Sequence, residues 1–223
     1  MADELAAVCG QCHGTKHVQT PDGKWERCEC LEAEIEAEKL IKAGIPAYAT
    51  ALTFAKVMGN HGKCAGLTPD IKAFVDAVVG KQRTRALMLY GLAGSGKAAL
   101  SALIACKAAR AGLTIKVAQL GDLVRDVMDG DAEKVKGSVL AEVIDADLAV
   151  VRLGLEPEHK YNGWILERVH SGRKAADKAT LYTSRVGTGE WERRYGDVTM
   201  RLFWTASADV VVLDLDMGRK VVC

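Results

Sequence analysis

The 223-residue chain contains no apolar run approaching the roughly 18 residues of a membrane-spanning helix. It has no excess of either charge. Lys plus Arg number 30 against 29 Asp plus Glu, so net charge carries no sign of a dedicated nucleic-acid binder. Internal repeats and low-complexity tracts are absent, which excludes repeat architectures and biased linkers. The opening MADELAAVCG is acidic and lacks the charged-then-apolar pattern of an export signal, so the expected compartment is the cytoplasm. What is present, 49% hydrophobic and 26% charged residues, is the composition of a globular domain. The length suits one ordinary α/β domain with a small appendage.

Four of the seven cysteines stand in the first thirty residues, as CGQC at 9–12 and CEC at 28–30. In a reducing compartment, clustered cysteines are metal ligands rather than disulfides. Between the pairs lies a turn signal, Pro21-Asp22-Gly23, which predicts two short strands joined by a hairpin. A hairpin brings two thiolate pairs together, and Zn²⁺ takes four soft ligands at tetrahedral angles. Cys9, Cys12, Cys28 and Cys30 are therefore the expected zinc ligands. His13 or His17 is a substitute donor, although four cysteines leave no vacancy. The string CGQCH also matches covalent haem attachment, but that chemistry belongs to exported proteins and leaves Cys28 and Cys30 without a role. Cys64, Cys106 and Cys223 have no metal spacing and read as ordinary thiols.

Residues 31–43, LEAEIEAEKLIKA, predict a helix with a partial apolar stripe of Leu31, Ile35, Leu40 and Ile41. Its acids come early and its lysines late, matching the helix dipole, and Gly44 and Pro46 end it. Residues 59–67 read as a loop, and Thr68 as the cap of a helix over 69–80. The basic runs at 81–85 and 168–178 read as solvated faces.

From residue 84 strands and helices alternate. Strands are predicted at 86–90, 114–120, 147–153, 179–184 and 209–215. Helices are predicted at 97–112, 159–174 and 196–207, with helical stretches after 120 running to about 145. Such alternation means a parallel sheet covered on both faces. The first strand runs into GLAGSGKAAL at 91–100, which up to Lys97 is a phosphate-binding loop, G-x-x-x-x-G-K. Gly91, Gly94, Ser95, Gly96, Lys97 and Ala98 form the candidate cradle. There backbone N–H groups and the start of a helix face phosphate oxygens.

With the cysteine pairs, the loop and five strands in this order, the chain resembles the DnaC/DnaI/IstB-type helicase-loader ATPases. The resemblance is carried by CGQCHG…CEC, by IPAY (45–48) before ALTF (51–54), and by LMLYGLAGSGKAAL. It continues through TIKVAQLGDLV, ILERVHSGRKAADKATLYTSR and MRLF…VVVLDLDMGRK. It implies an AAA+ P-loop domain at 84–223 with a five-stranded sheet in the order 5-1-4-3-2. A zinc ribbon and partner-binding helix would occupy 1–44 and a helical connector 45–83. It further implies ATP or ADP as ligand and a replicative helicase or related replication or transposition protein as partner. Single-stranded DNA is an implied contact, and AAA+ subunits are expected to assemble. Trp25, Trp164, Trp191 and Trp204 form no evident stacking platform for DNA and read as core or interface residues.

The departures from the family pattern are informative. Ala98 replaces the hydroxyl residue that ligates Mg²⁺. The third strand should end in two acids, but it reads LAVVRLG, one residue short, with Arg152 at the acidic position. The fourth should end Thr-Ser-Asn, but it reads Thr183-Ser184-Arg185. Phosphoryl transfer depends on those groups, so the expectation is a site that binds nucleotide with doubtful Mg²⁺ dependence and little or no hydrolysis. Lys97 is kept. Arg201 matches the family's arginine finger and Arg219 its late basic residue near the phosphates. An active ATPase using the displaced acids Asp145, Asp147 or Glu156 is the alternative expectation.

Overall fold

A computed structural model describes residues 9–60, 66–82, 86–129, 138–205 and 210–221. Cys64 and Cys223, part of the expected 59–67 loop, part of the 81–85 basic run and the end of the helix expected at 196–207 lie outside these residues.

The hairpin after the first cysteine pair forms as two short antiparallel strands, β1 (His17–Gln19) and β2 (Trp25–Arg27). The helix α1 (Glu29–Lys42) follows directly, with Leu40 buried and Ile41 exposed. A short 3₁₀ helix, Ala47–Ala51, leads to α2 (Phe54–Asn60). The loop expected from 59 onward therefore begins as helix. In α3 (Thr68–Val79) Thr68 is the first helical residue and makes no cap, because a 3₁₀ turn at 66–67 already feeds the helix and places Leu67 at the cap position.

The main sheet contains β3 (Ala86–Tyr90), β4 (Ile115–Gln119), β5 (Leu148–Leu153), β6 (Ala179–Ser184) and β7 (Val210–Asp214). These five are parallel, in the spatial order β4-β5-β6-β3-β7, which is the 5-1-4-3-2 order expected for the parallel strands. A sixth strand, β8 (Arg219–Val221), adds antiparallel to β7. Among the described residues the sheet is therefore six-stranded, not five. β8 has only three residues, too few for a periodic signal, and exists because the chain turns back on itself. Asp214 Oδ1 accepts the N–H groups of Asp216 (3.0 Å) and Met217 (3.1 Å) and holds that turn.

The remaining helices are α4 (Lys97–Arg110), α5 (Leu120–Asp129), α6 (Val139–Asp145), α7 (Asn162–Ala175) and α8 (Thr188–Trp204). Successive strand residues face opposite layers, so each strand reads as a continuous apolar run. Leu87 and Leu89 join the core with α3 and α4, while Ala86 and Met88 join the core with α5, α7 and α8. Helix α8 starts eight residues before the predicted helix. It breaks at Gly196 (φ 83°, ψ 167°), and its first half is fixed by Trp191 and Tyr195, both buried. Gly163 explains the glycine in α7: a Cβ there would lie 2.1 Å from the Tyr195 carbonyl oxygen, so the two helices touch backbone to backbone.

The run at 168–178 is not simply a solvated face. Arg173 is fully buried. Its Nε donates to Thr180 Oγ1 at 2.9 Å, and its terminal nitrogens donate to carbonyls of Val143, Ile144 (3.1 Å), Ala146 (2.8 Å), Asp147 (3.3 Å) and Ala179. One guanidinium thus ties the C-terminal end of α6 and the residue before β5 to the first residues of β6. Burial pushes its pKa down to about 10, so it remains charged at neutral pH.

Candidate nucleotide and metal sites

The phosphate loop connects β3 to α4, at the carboxyl end of the sheet where ligands of open α/β folds lie. Gly94 (φ 84°) and Gly96 (φ 91°) occupy the left-handed region that L side chains avoid, and Gly96 stands at the cap of α4. The helix therefore begins with bare N–H groups and its positive dipole end turned to the loop. The Lys97 ammonium folds back onto its own loop, donating to the Gly91 carbonyl, the Leu92 carbonyl (2.6 Å) and Ser95 Oγ (3.1 Å). Burial holds its pKa below the ordinary lysine range, against the pull of Asp216 and with the help of Arg185.

A cavity of 490 Å³ opens beside the loop. One side is Ala93–Ala99, the other Arg152 and Leu153 at the end of β5, Leu155 beyond it, Thr183 near the end of β6 and Arg185 just past it, with Tyr48 also in the lining. Its volume is that of a small-ligand pocket. Parallel register decides the far wall: Arg152 pairs with Thr183 across β5 and β6, so the two strand ends arrive side by side. Arg185 is exposed and its Nε donates to the Gly154 carbonyl at 2.7 Å. No carboxylate is among the described residues that line this cavity.

The acids considered as substitutes point elsewhere. Asp147 stands just before β5, at the end of the strand opposite the loop. Its Oδ2 accepts from Thr114 N–H (2.9 Å) and Oγ1 (2.8 Å). Asp145 ends α6 on that same side. Six strand residues separate that end from the loop end, about 20 Å. Glu156 is buried, and its carboxylate accepts from the N–H of Gly154 (2.9 Å) and Leu155 (3.1 Å) and from the Tyr195 hydroxyl. A carboxylate not singled out from the sequence does reach the loop. Asp216 Oδ2 accepts Leu92 N–H at 2.6 Å and anchors the loop's first turn to the end of β7. The only signal for it was its place in LDLD, just past a strand end.

Arg201 lies on the outer face of α8, largely exposed and paired with Asp197 at 2.6 Å. Arg219 stands in β8 opposite Asp214 and is not among the described residues lining the cavity. Trp191 and Trp204 are buried, whereas Trp25 (67%) and Trp164 (49%) are exposed.

In the N-terminal hairpin the four sulfurs of Cys9, Cys12, Cys28 and Cys30 lie within 4.8 Å of one another. Cys9 and Cys28 are 3.7 Å apart, and Cys12 and Cys30 3.4 Å. Tetrahedral Zn–S bonds of about 2.3 Å put sulfurs about 3.8 Å apart, so the four thiols fit such an ion. All four cysteines converge, as one four-ligand site requires and covalent haem attachment does not. Backbone N–H groups of Cys12 and Gln11 lower the Cys9 pKa to about 6, while the hydrogen bond that Cys30 donates to Cys12 pushes Cys30 up to about 12. Neither His13 nor His17 belongs to the cluster.

Residues 75–211, more than half of the chain, match the profile of a family described as IstB-like ATP binding protein. The chain belongs to this family. That membership agrees with the resemblance drawn from the sequence. A crystal structure of a DNA replication initiation factor is similar in fold, with a TM-score of 0.52 at 14% identity over 68% of this chain and 48% of that one. The crystal structure of the DnaC helicase loader gives 0.46 at 19% identity over 57% and 77%. A putative primosome component from Streptococcus pyogenes serotype M3 gives 0.47 at 19% identity over 67% and 78%. A search of curated proteins by sequence returns no match. No helix among the described residues is long and apolar enough to cross a membrane.

Proposed function

We propose that this IstB-like protein is a helicase-loader-like, nucleotide-binding component of DNA replication that has given up ATP hydrolysis. The observation that carries this reading is the composition of one cavity. The glycine cradle and Lys97 are kept, while Arg152 stands in the wall at the place of the Mg²⁺-binding acids and Arg185 at the place of the Asn. Residue 98 offers no hydroxyl. ATP or ADP would sit with its phosphates on the N–H groups of 94–98, and Lys97 would exchange its three internal acceptors for phosphate oxygens. Hydrolysis needs a metal and a positioned water, and the residues present hold neither. The active-ATPase alternative is weakened because Asp145, Asp147 and Glu156 are remote from the loop or committed to structural hydrogen bonds.

In this reading residues 1–44 form a zinc ribbon and helix that bind a replicative helicase or a related replication or transposition protein. Residues 45–83 connect them to the P-loop unit at 84–223, in a cytoplasmic protein. The exposed position of Arg201 suits a finger offered to a neighbouring AAA+ subunit, in a homo- or hetero-oligomer that contacts single-stranded DNA. The test is ATP turnover with Mg²⁺ alongside ATP binding, for the wild type and Lys97→Ala. Binding that needs Lys97, with no turnover above background, is expected. Substantial Mg²⁺-dependent turnover that disappears in Lys97→Ala would refute the proposal.

A further inference from the structure

The cavity beside the phosphate loop is electrostatically one-sided. Three cations border it, Lys97, Arg152 and Arg185, and no carboxylate is among its described lining residues. Arg152 is only half-exposed, yet it makes no ion pair or hydrogen bond among the described residues. Arg185 spends only its Nε, on the Gly154 carbonyl at 2.7 Å. That bond orients the guanidinium and leaves its terminal nitrogens to the cavity. The nearest carboxylate to the loop, Asp216, is already committed to Leu92 N–H at 2.6 Å. A half-buried cation without a counter-ion is costly unless an anion completes it.

The same wall is unsuited to Mg²⁺. That ion demands near-octahedral oxygen ligation and takes carboxylates and hydroxyls from the protein. Here the residue following Lys97 is alanine, Arg152 stands at the expected acidic position, and Arg185 at the expected Asn position. A divalent cation placed there is repelled by both. Guanidinium forks, in contrast, match phosphate oxygens two at a time.

We infer that this cavity takes the polyphosphate of a nucleoside triphosphate in its metal-free form, with Arg152 and Arg185 as the counter-charge, so that Mg²⁺ weakens binding rather than enabling it. The inference rests on the proposed nucleotide-binding function and adds to it the ionic form of the ligand and the two residues that select it. Free ATP carries two more negative charges than its Mg²⁺ complex. A site built from three cations therefore discriminates in favour of the free anion, and Mg²⁺ competes by chelating the ligand.

The experiment is calorimetric titration of the full chain with ATP, once in EDTA and once in excess Mg²⁺. It uses the wild type, Lys97→Ala, Arg152→Ala, Arg185→Ala, and the lysine variants Arg152→Lys and Arg185→Lys, with circular dichroism confirming each fold. The expected result is binding in EDTA that Mg²⁺ weakens. Each arginine-to-alanine change should weaken it by about 10-fold or more, as loss of a charge-assisted hydrogen bond does, with partial recovery in the lysine variants. A double variant, Ala98→Ser with Arg152→Asp, should bind ATP better with Mg²⁺ than without. Wild-type binding that depends on Lys97 but appears only with Mg²⁺ overturns this inference and leaves the nucleotide-binding function standing. Binding in EDTA that ignores both arginines also overturns it. No wild-type binding in either buffer overturns both.

Discussion

Replacing Arg173 by leucine tests the most consequential buried interaction in the fold. Four of its contacts are fully buried: Thr180 Oγ1 and the carbonyls of Val143, Ala146 and Ala179. Leucine keeps most of the apolar volume but donates nothing, so these four acceptors lose a partner away from water. At about 1 kcal/mol each, the low end for a buried group left unsatisfied, the loss is about 4 kcal/mol. A chain of this size loses roughly 2–4 °C of Tm per kcal/mol, so the transition should fall by about 8–16 °C. Thermal unfolding followed by circular dichroism reads it directly. Arg173→Lys keeps the charge but not the planar fork, and cannot reach six acceptors at once, so it should fall between wild type and Arg173→Leu. If Arg173 were instead on a solvated face, leucine would change stability by about 0.5 kcal/mol or less. A Tm within about 2 °C of wild type in Arg173→Leu would therefore refute the clasp.

The zinc ribbon should contain one zinc per chain by elemental analysis, and Cys28→Ala should abolish it. Strands of three mostly exposed residues cannot fold the hairpin by burial, so chelation should also erase its hydrogen-exchange protection. Asp147→Asn should show a pH-dependent cost. The hydrogen bond from the Thr114 backbone, aided by its hydroxyl, holds the Asp147 carboxyl below its ordinary value of 3.8. A depressed carboxyl adds stability above the unfolded value and loses it as pH falls through the folded one. The Tm difference between wild type and Asp147→Asn should therefore be full near neutrality and shrink below pH 3.8. A difference that stays constant down through that range would contradict the assignment.

Much of this architecture was legible in the sequence because it is written in local signals. Strand β3 is a four-residue buried run ending in Tyr90, followed at once by a glycine loop and an alanine-rich helix. β6 matches its predicted bounds residue for residue. Cys9, Cys12, Cys28 and Cys30 announce themselves by spacing around a turn. Even the positions of Arg152 and Arg185 could be inferred, because the end of a parallel strand is a place recognisable from its run of apolar residues. What stayed hidden had no local mark. The first half of α8 looks like a loop at Thr188-Gly189, and only the packing of Trp191 against Phe203 and Trp204 makes it helix. β8 needs a partner strand before its three residues mean anything.

Local sequence specified most of the elements, their order, the phosphate cradle and the absence of a hydroxyl at 98 and of acids at 152. Periodicity, turn chemistry and residue identity are properties of neighbours along the chain. Packing in three dimensions made Arg173 a buried clasp, occupied Glu156 with Tyr195 and backbone N–H groups, and set Asp216 to steady the loop. It also brought Arg152 and Arg185 to the same cavity as Lys97. Each of these includes a contact between residues about 30 or more positions apart, set by the register of parallel strands and the layers packed on them. Such convergence depends on which strand lies beside which, and no local stretch of sequence encodes that.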